Sequence, residues 1–288
     1  MSQKLIPPNP DKVMVIRRIT PDLATQSLPF LRFGRIKIGG RGTIGTKFHL
    51  YRDPFRHTNN QFSPSPEWHI SRLLPVSLTD DVRNLVRDMG EVKYITALDQ
   101  EHHLSLDPWH KEYPNAKLIG PETLAPKREK NGNPLPFAYL FRAKEKESTR
   151  IDADFDREFD YEYVDAHANK EIVFCHKPSR TLIEADFLFN LPANEQMSKT
   201  NESPQSGFLT KLMVKINNTR GDAIWQKRFI WYALSASNRG SFNRSCAKID
   251  KWDFDRIVPC HGDVIETGGK GVFRKVFEWH LAAARKNQ

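Results

Sequence analysis

Val92-Lys93-Tyr94-Ile95-Thr96-Ala97-Leu98-Asp99-Gln100-Glu101-His102-His103 is the stretch on which the fold turns. Its first half reads as a β-strand. Its second half packs two carboxylates and two imidazoles into five residues, Asp99 to His103, where a strand should end and the backbone should turn. The same arrangement recurs downstream. His167 follows the strand-like Phe159 to Val164, Asp186 follows Thr181 to Ala185, and His261 follows Arg256 to Pro259. Acids and imidazoles repeated at strand ends can converge at one edge of a sheet, and that donor set suits a hard-to-borderline metal ion. A bound metal and hydrolytic chemistry are the leading expectation.

Composition narrows the alternatives. The 288 residues are enough for one large domain or two modest ones. No run of about 18 apolar residues occurs, so no membrane span is expected. Met1 to Asp11 is polar, which leads to a cytoplasmic expectation. Cys175, Cys246 and Cys260 have no paired spacing and are expected to stay thiols. The net charge of +9 comes from Lys and Arg scattered among acids, and no nucleic-acid reading motif accompanies it. Nucleic acid is therefore not the expected partner, and nothing indicates an oligomeric state.

Working outward, Thr79 is placed to cap a helix carrying Val82, Leu85, Val86 and Met89, with Gly90 as its stop. Asp107 and Pro108 open a short helix. Glu171 to Cys175 and Thr181 to Ala185 flank the turn Lys177-Pro178-Ser179-Arg180 as a hairpin. Phe33 to Leu50 reads as two strands joined at Gly39, Gly40 and Gly42. Residues 51–71 and 121–157 read as surface loops or insertions, and residues 1–30 as an N-terminal extension to a domain spanning 31–288. From Gly207 the periodicity is mainly helical, through Phe208, Leu212 and Ile216, then Ile224 to Leu234, Phe242 to Trp252 and Val272 to Ala284. In the aromatic stripe Trp225, Phe229, Trp231 and Tyr232, core packing is the favoured reading over a pocket cover in which Arg228 contacts an anion. The whole is an α+β layered domain.

Each site residue also has a plainer reading. Adjacent histidines such as His102 and His103 are often solvated, His261 can be satisfied by a backbone carbonyl, and Cys260 reads first as a small buried residue. Asp186, set against Phe187, Leu188 and Phe189, is different because a buried unpaired carboxylate needs a cation or a strong donor. Ser-His-Asp catalysis is ranked lower, since no serine sits in a nucleophile elbow.

These residues in this order, ending in Val258-Pro259-Cys260-His261-Gly262-Asp263, resemble the metallo-β-lactamase superfamily. Val92 to Tyr113 together with Lys177 to Pro192 looks more like an uncharacterised branch of it found in bacteria and fungi. The resemblance covers roughly Ile36 to His280 and implies an αββα sandwich with a metal site at one edge. The superfamily's His-x-His-x-Asp-His motif falls on Ala97, Asp99, Glu101 and His102, so the first histidine is lost, the second is Asp99 and the aspartate is Glu101. His167, Asp186 and His261 match later ligands. One position, from Glu101, His102, Asp186 and His261, is complete in kind. The other, from Ala97, Asp99 and His167, lacks a ligand, so one ion is expected rather than two. His103 lies outside the superfamily's usual set, and the resemblance leaves it either as a group that supports a ligand or as a replacement ligand.

The implied chemistry is hydrolysis of a small-molecule ester, lactone or thioester by a metal-bound hydroxide. Zinc is the expected ion and iron the alternative, with Asp186 holding the ion and Asp99 orienting or deprotonating water. Iron-dependent redox chemistry and a non-catalytic scaffold are the competing functions.

Overall fold

A computed structural model describes residues 7–47, 69–73 and 76–286. Strands β1 (Val15–Thr20), β2 (Leu23–Leu28), β3 (Leu31–Arg32), β4 (Ile36–Lys37), β5 (Gly40–Lys47), β6 (His69–Leu73), β7 (Glu91–Thr96), β8 (Lys117–Pro121) and β9 (Phe137–Phe141) make up the first half. β10 (Phe159–Val164), β11 (Glu171–His176), β12 (Thr181–Glu184) and β13 (Arg256–Pro259) belong to the second. A seven-stranded sheet runs β1-β2-β5-β6-β7-β8-β9, a four-stranded sheet runs β10-β11-β12-β13, and β3 with β4 forms a separate small ribbon.

The period-two alternation of the second sheet decides the layering. Ile172, Phe174, Ile183 and Val258 point to an inner core shared with Leu23, Tyr94, Leu98 and Ile119 of the first sheet. Val173, Cys175, Leu182 and Ile257 point outward to the helices Arg239–Ile249, Gly269–Val276 and Glu278–Lys286. On the other side, the helices Asp80–Met89 and Leu106–Glu112 cover Val92, Ile95 and Leu118. The product is helix, sheet, sheet, helix, the α+β sandwich expected. Thr79 caps its helix by accepting from Val82 N, as read from sequence. Among the described residues no helix is long and apolar enough to cross a membrane.

Several boundaries need correction. The supposed N-terminal extension supplies β1 and β2, and β2 is buried along its whole length although Thr25, Gln26 and Ser27 are polar. β4 and β5 flank the predicted glycine turn but do not pair with each other; β4 pairs with β3, and β5 with β2 and β6. Of the stretch 51–71, residues 69–71 belong to β6 and the rest lies outside the described residues. Residues 121–157 are more than a loop, for they hold edge strand β9 and the helices Leu124–Lys130 and Ala153–Glu158. The helix expected over Ile224 to Leu234 changes at Ile230 from α to π winding. The one expected over Val272 to Ala284 is two helices, broken at Phe277 where that ring stacks on Phe187. Trp225 and Tyr232 are exposed, so half of the aromatic stripe is not core.

Candidate metal centre

Three strand ends build the site. After β7 the chain turns at Asp99, which is fully buried. Its Oδ1 accepts from the backbone N–H of Glu101 (2.8 Å) and of His102 (2.7 Å), and its Oδ2 from His102 Nδ1 (2.8 Å). This Asx-type turn fixes the His102 ring and leaves Nε2 facing inward.

After β12, the N–H groups of Ala185 and Asp186 donate to Glu171 Oε1 (2.7 Å) and Oε2 (3.0 Å). The buried Glu171 carboxyl group, whose proton affinity burial and the Asp99 and Asp186 charges push well up, thus shapes the turn that presents Asp186. Asn169 Nδ2 donates to Asp186 Oδ2 at 2.6 Å. The other oxygen, Oδ1, accepts no hydrogen bond and lies 3.2 Å from His261 Nε2 and 4.0 Å from His102 Nε2.

After β13 come Cys260 and His261. His261 Nδ1 donates to Gly39 O (2.6 Å), and its ring stacks on Phe189. Arg41, fully buried on β5, brackets the two residues: its Nη1 donates to Pro259 O (2.7 Å) and Gly262 O (2.6 Å), while Glu195 balances its charge at 3.2 Å.

A donor count shows what the centre needs. Gly39 O can only accept, so His261 carries its proton on Nδ1. His102 likewise donates from Nδ1 to a carboxylate. In their neutral forms both Nε2 atoms are lone pairs, yet they stand 3.1 Å apart. The Cys260 sulfur lies within 4.8 Å of both, and Asp186 Oδ1 completes the group. With both imidazoles neutral and the thiol ionised these acceptors face one another with no donor between them, and a proton held between the rings or a bound cation relieves them. The proton affinities agree. Burial alone would lower the histidines, but Asp99 and Cys260 hold His102 well above its usual value, and Cys260 with Asp186 brings His261 up to about 9. Burial would raise Cys260 and Asp186, but the two imidazoles overcome it, taking the thiol down to about 6 and Asp186 below the usual carboxylate range. Two imidazoles, a carboxylate oxygen and a thiolate form a ligand set that fits zinc.

The centre opens into a cavity of about 340 Å³. Leu28, Phe30, Phe33, Val76 and Leu104 make much of its wall, and Arg32 is its cation.

The sequence-predicted residues divide accordingly. His102, Asp186 and His261 come together. Asp99 accepts from the Glu101 and His102 turn and, with His102 and Asp186, forms a second group whose ligand atoms lie within 4.8 Å of one another. Glu101 is about half exposed and pairs with Lys127 (2.8 Å), so it supplies no ligand atom. His103 lines the cavity but uses Nδ1 to accept from Arg128 Nη1 (3.1 Å). His167 is buried apart from the group: Nδ1 accepts from Asn169 N, Nε2 has no partner, and burial lowers its proton affinity. With Ala97 apolar, His167 joins no group of three ligand atoms among the described residues. Cys260 takes the corner expected of Glu101. Glu171 and Arg41 were not read from the sequence; the only signal was a charged residue inside a strand-like run.

No protein-family model matches the chain, and no curated protein matches it in sequence. Solved structures do match. VMB-1 aligns with a TM-score of 0.55 at 12% identity, covering 95% of this chain and 99% of its own. A metallo-β-lactamase from Hirschia baltica aligns at 0.54 with 9% identity, covering 93% and 97%. The fold is that of the metallo-β-lactamases. A flavo di-iron protein from Thermotoga maritima shares it too, at 0.53 and 11% identity over 93% of this chain and 62% of that one. Within the metallo-β-lactamase fold of this chain, the acceptor cluster stands at the sandwich edge where β7, β12 and β13 end.

Proposed function

We propose that the protein is a metal-dependent hydrolase of a small-molecule ester, lactone or thioester, using one ion held by His102, Asp186, Cys260 and His261. The observation that supports this reading is that His102 and His261 meet the Cys260 sulfur on one side and Asp186 Oδ1 on the other, in the lining of a largely apolar cavity. When bound, a divalent ion polarises a carbonyl oxygen and lowers the pKa of water to about 7. The protein's own groups do the rest. Asp99 and the Gly39 carbonyl fix the two imidazoles with Nε2 inward, Asn169 and Glu171 hold Asp186, and Arg41 anchors the Cys260–His261 turn. The walls at Phe30, Val76 and Leu104 accept an apolar portion of the substrate and exclude water around the scissile bond. The thiolate favours zinc, while the imidazole and carboxylate donors keep iron as the second candidate.

Elemental analysis of purified wild type, His261→Ala and Asp186→Ala, with hydrolysis of an ester, lactone and thioester panel before and after chelation, tests this. About one equivalent of zinc, lost in both variants together with activity, is the expected result. No ion in wild type after incubation with excess zinc or iron, or activity surviving in both variants, overturns it.

A further inference from the structure

The exposed apolar surface is unevenly placed. Of the seven large hydrophobic side chains exposed among the described residues, five lie between 208 and 232: Phe208, Leu209, Leu212, Trp225 and Tyr232. The helix Phe208–Ile216 buries Thr210 and Val214 while Phe208, Leu209 and Leu212 face out, the reverse of what burial of its largest apolar groups would give. Cations accompany them. The exposed cations of this stretch, Ser203 to Ala236, are Lys211, Lys215, Arg220 and Arg228 against the single acid Asp222, while Lys227 is buried and paired with Glu278. Lys215 Nζ lies 5.8 Å and the Arg228 guanidinium 5.1 Å from the Trp225 ring centre, joining two helices into one basic, aromatic patch.

This patch adjoins the catalytic side. The backbone N–H of Lys37 on β4 donates to Thr210 Oγ1 (3.2 Å), so the helix lies beside the β3–β4 ribbon. The turn of that ribbon carries Phe33, 77% exposed and part of the cavity wall. Leu104, the remaining exposed apolar residue, also lines the cavity.

We propose that this face docks on an anionic phospholipid surface, bringing the cavity beside the lipid. Apolar groups with an amphipathic tryptophan suit the headgroup and acyl boundary, and lysines and arginines around them suit anionic headgroups. A second copy is a poorer occupant, since a two-fold contact would oppose the same cations.

Cosedimentation with phosphatidylcholine vesicles, and with vesicles of phosphatidylcholine mixed with phosphatidylglycerol, tests the proposal. The protein is expected to sediment with the mixed vesicles and to be released by salt. Phe208→Ser with Leu212→Ser, and separately Lys211→Glu with Lys215→Glu, should each cut the bound fraction at least about fivefold while the circular dichroism stays unchanged. No binding to mixed vesicles overturns the proposal. So does binding indifferent to the apolar pair, which would be charge attraction alone, or a dimer in wild type abolished by that pair, which would make the face a self-contact. Sedimentation needs neither ion nor turnover, so its failure would leave the hydrolase reading standing.

Discussion

Gly262 and Asn190 meet backbone to backbone: a Cβ on Gly262 would lie 2.2 Å from the carbonyl carbon and oxygen of Asn190. Gly262 also has φ +90°, and the pair forms a parallel bridge in which His261 O accepts from Asn190 N and Asp263 N donates to Asn190 O. Gly262→Ala must therefore displace the turn that presents His261. Its cost should exceed the roughly 1–2 kcal/mol of left-handed backbone strain alone. Gly132→Ala is the control, because Gly132 also has positive φ but open space around it. Urea midpoints of the two variants should separate clearly, with metal content falling only in the first.

Asp99→Asn keeps the size of the side chain and changes one contact decisively. The amide oxygen can still accept from the backbone N–H groups of Glu101 and His102, which turns the amide nitrogen toward His102 Nδ1, donor against donor. His102 then loses its fixed tautomer. Zinc affinity measured by chelator competition should fall roughly 10- to 100-fold with little change in thermal midpoint.

Arg41→Met leaves the carbonyls of Pro259 and Gly262 and the Glu195 carboxylate without their buried cation. A loss of about 3–5 kcal/mol is expected by urea denaturation. Arg180→Met, which breaks an exposed ion pair with Asp253, should leave the urea midpoint nearly unchanged.

His280 supplies a pH test remote from the metal centre. It is buried, its Nδ1 donates to Asn243 Oδ1 (2.7 Å), and burial followed by the nearby Arg239 charge pulls its pKa down to about 3. The folded value lies below the unfolded one, so the unfolded chain binds more protons between the two. The stability this histidine contributes is complete above about pH 6.5 and drains away as pH falls toward 3, at up to about 1.4 kcal/mol per pH unit. In His280→Gln the acid limb of stability against pH should be correspondingly flatter.

Legibility in the sequence followed the apolar signal. β10, β11, β12 and β13 were readable because alternating or continuous apolar residues mark strands buried on one or both faces. β2 was not, since Leu-Ala-Thr-Gln-Ser-Leu carries three polar residues into a fully buried strand. At the site, Asp186 stood out because its apolar neighbours demanded a partner. The cluster from Asp99 to His103 offered four candidates, and the groups that divert two of them, Lys127 and Arg128, sit in a segment whose charge looked like solvated surface. Cys260 was undervalued because its importance depends on the facing His102, which sequence neighbours do not reveal. Glu171 and Arg41 were invisible for a related reason: a charged residue becomes structural only when long-range pairing offsets its burial.

The Arg41 anchor and the His261–Gly39 bond both run from the second sheet to the first. The proposed ligands divide the same way, with His102 on one side of the seam and Asp186, Cys260 and His261 on the other. A chain severed between β9 and β10 would leave each fragment an incomplete chelator. Zinc uptake by the mixed fragments would then gauge their reassembly, and stripping the ion from the intact protein should loosen the seam first where Ile172 N donates to Leu98 O, seen as faster amide exchange at Ile172.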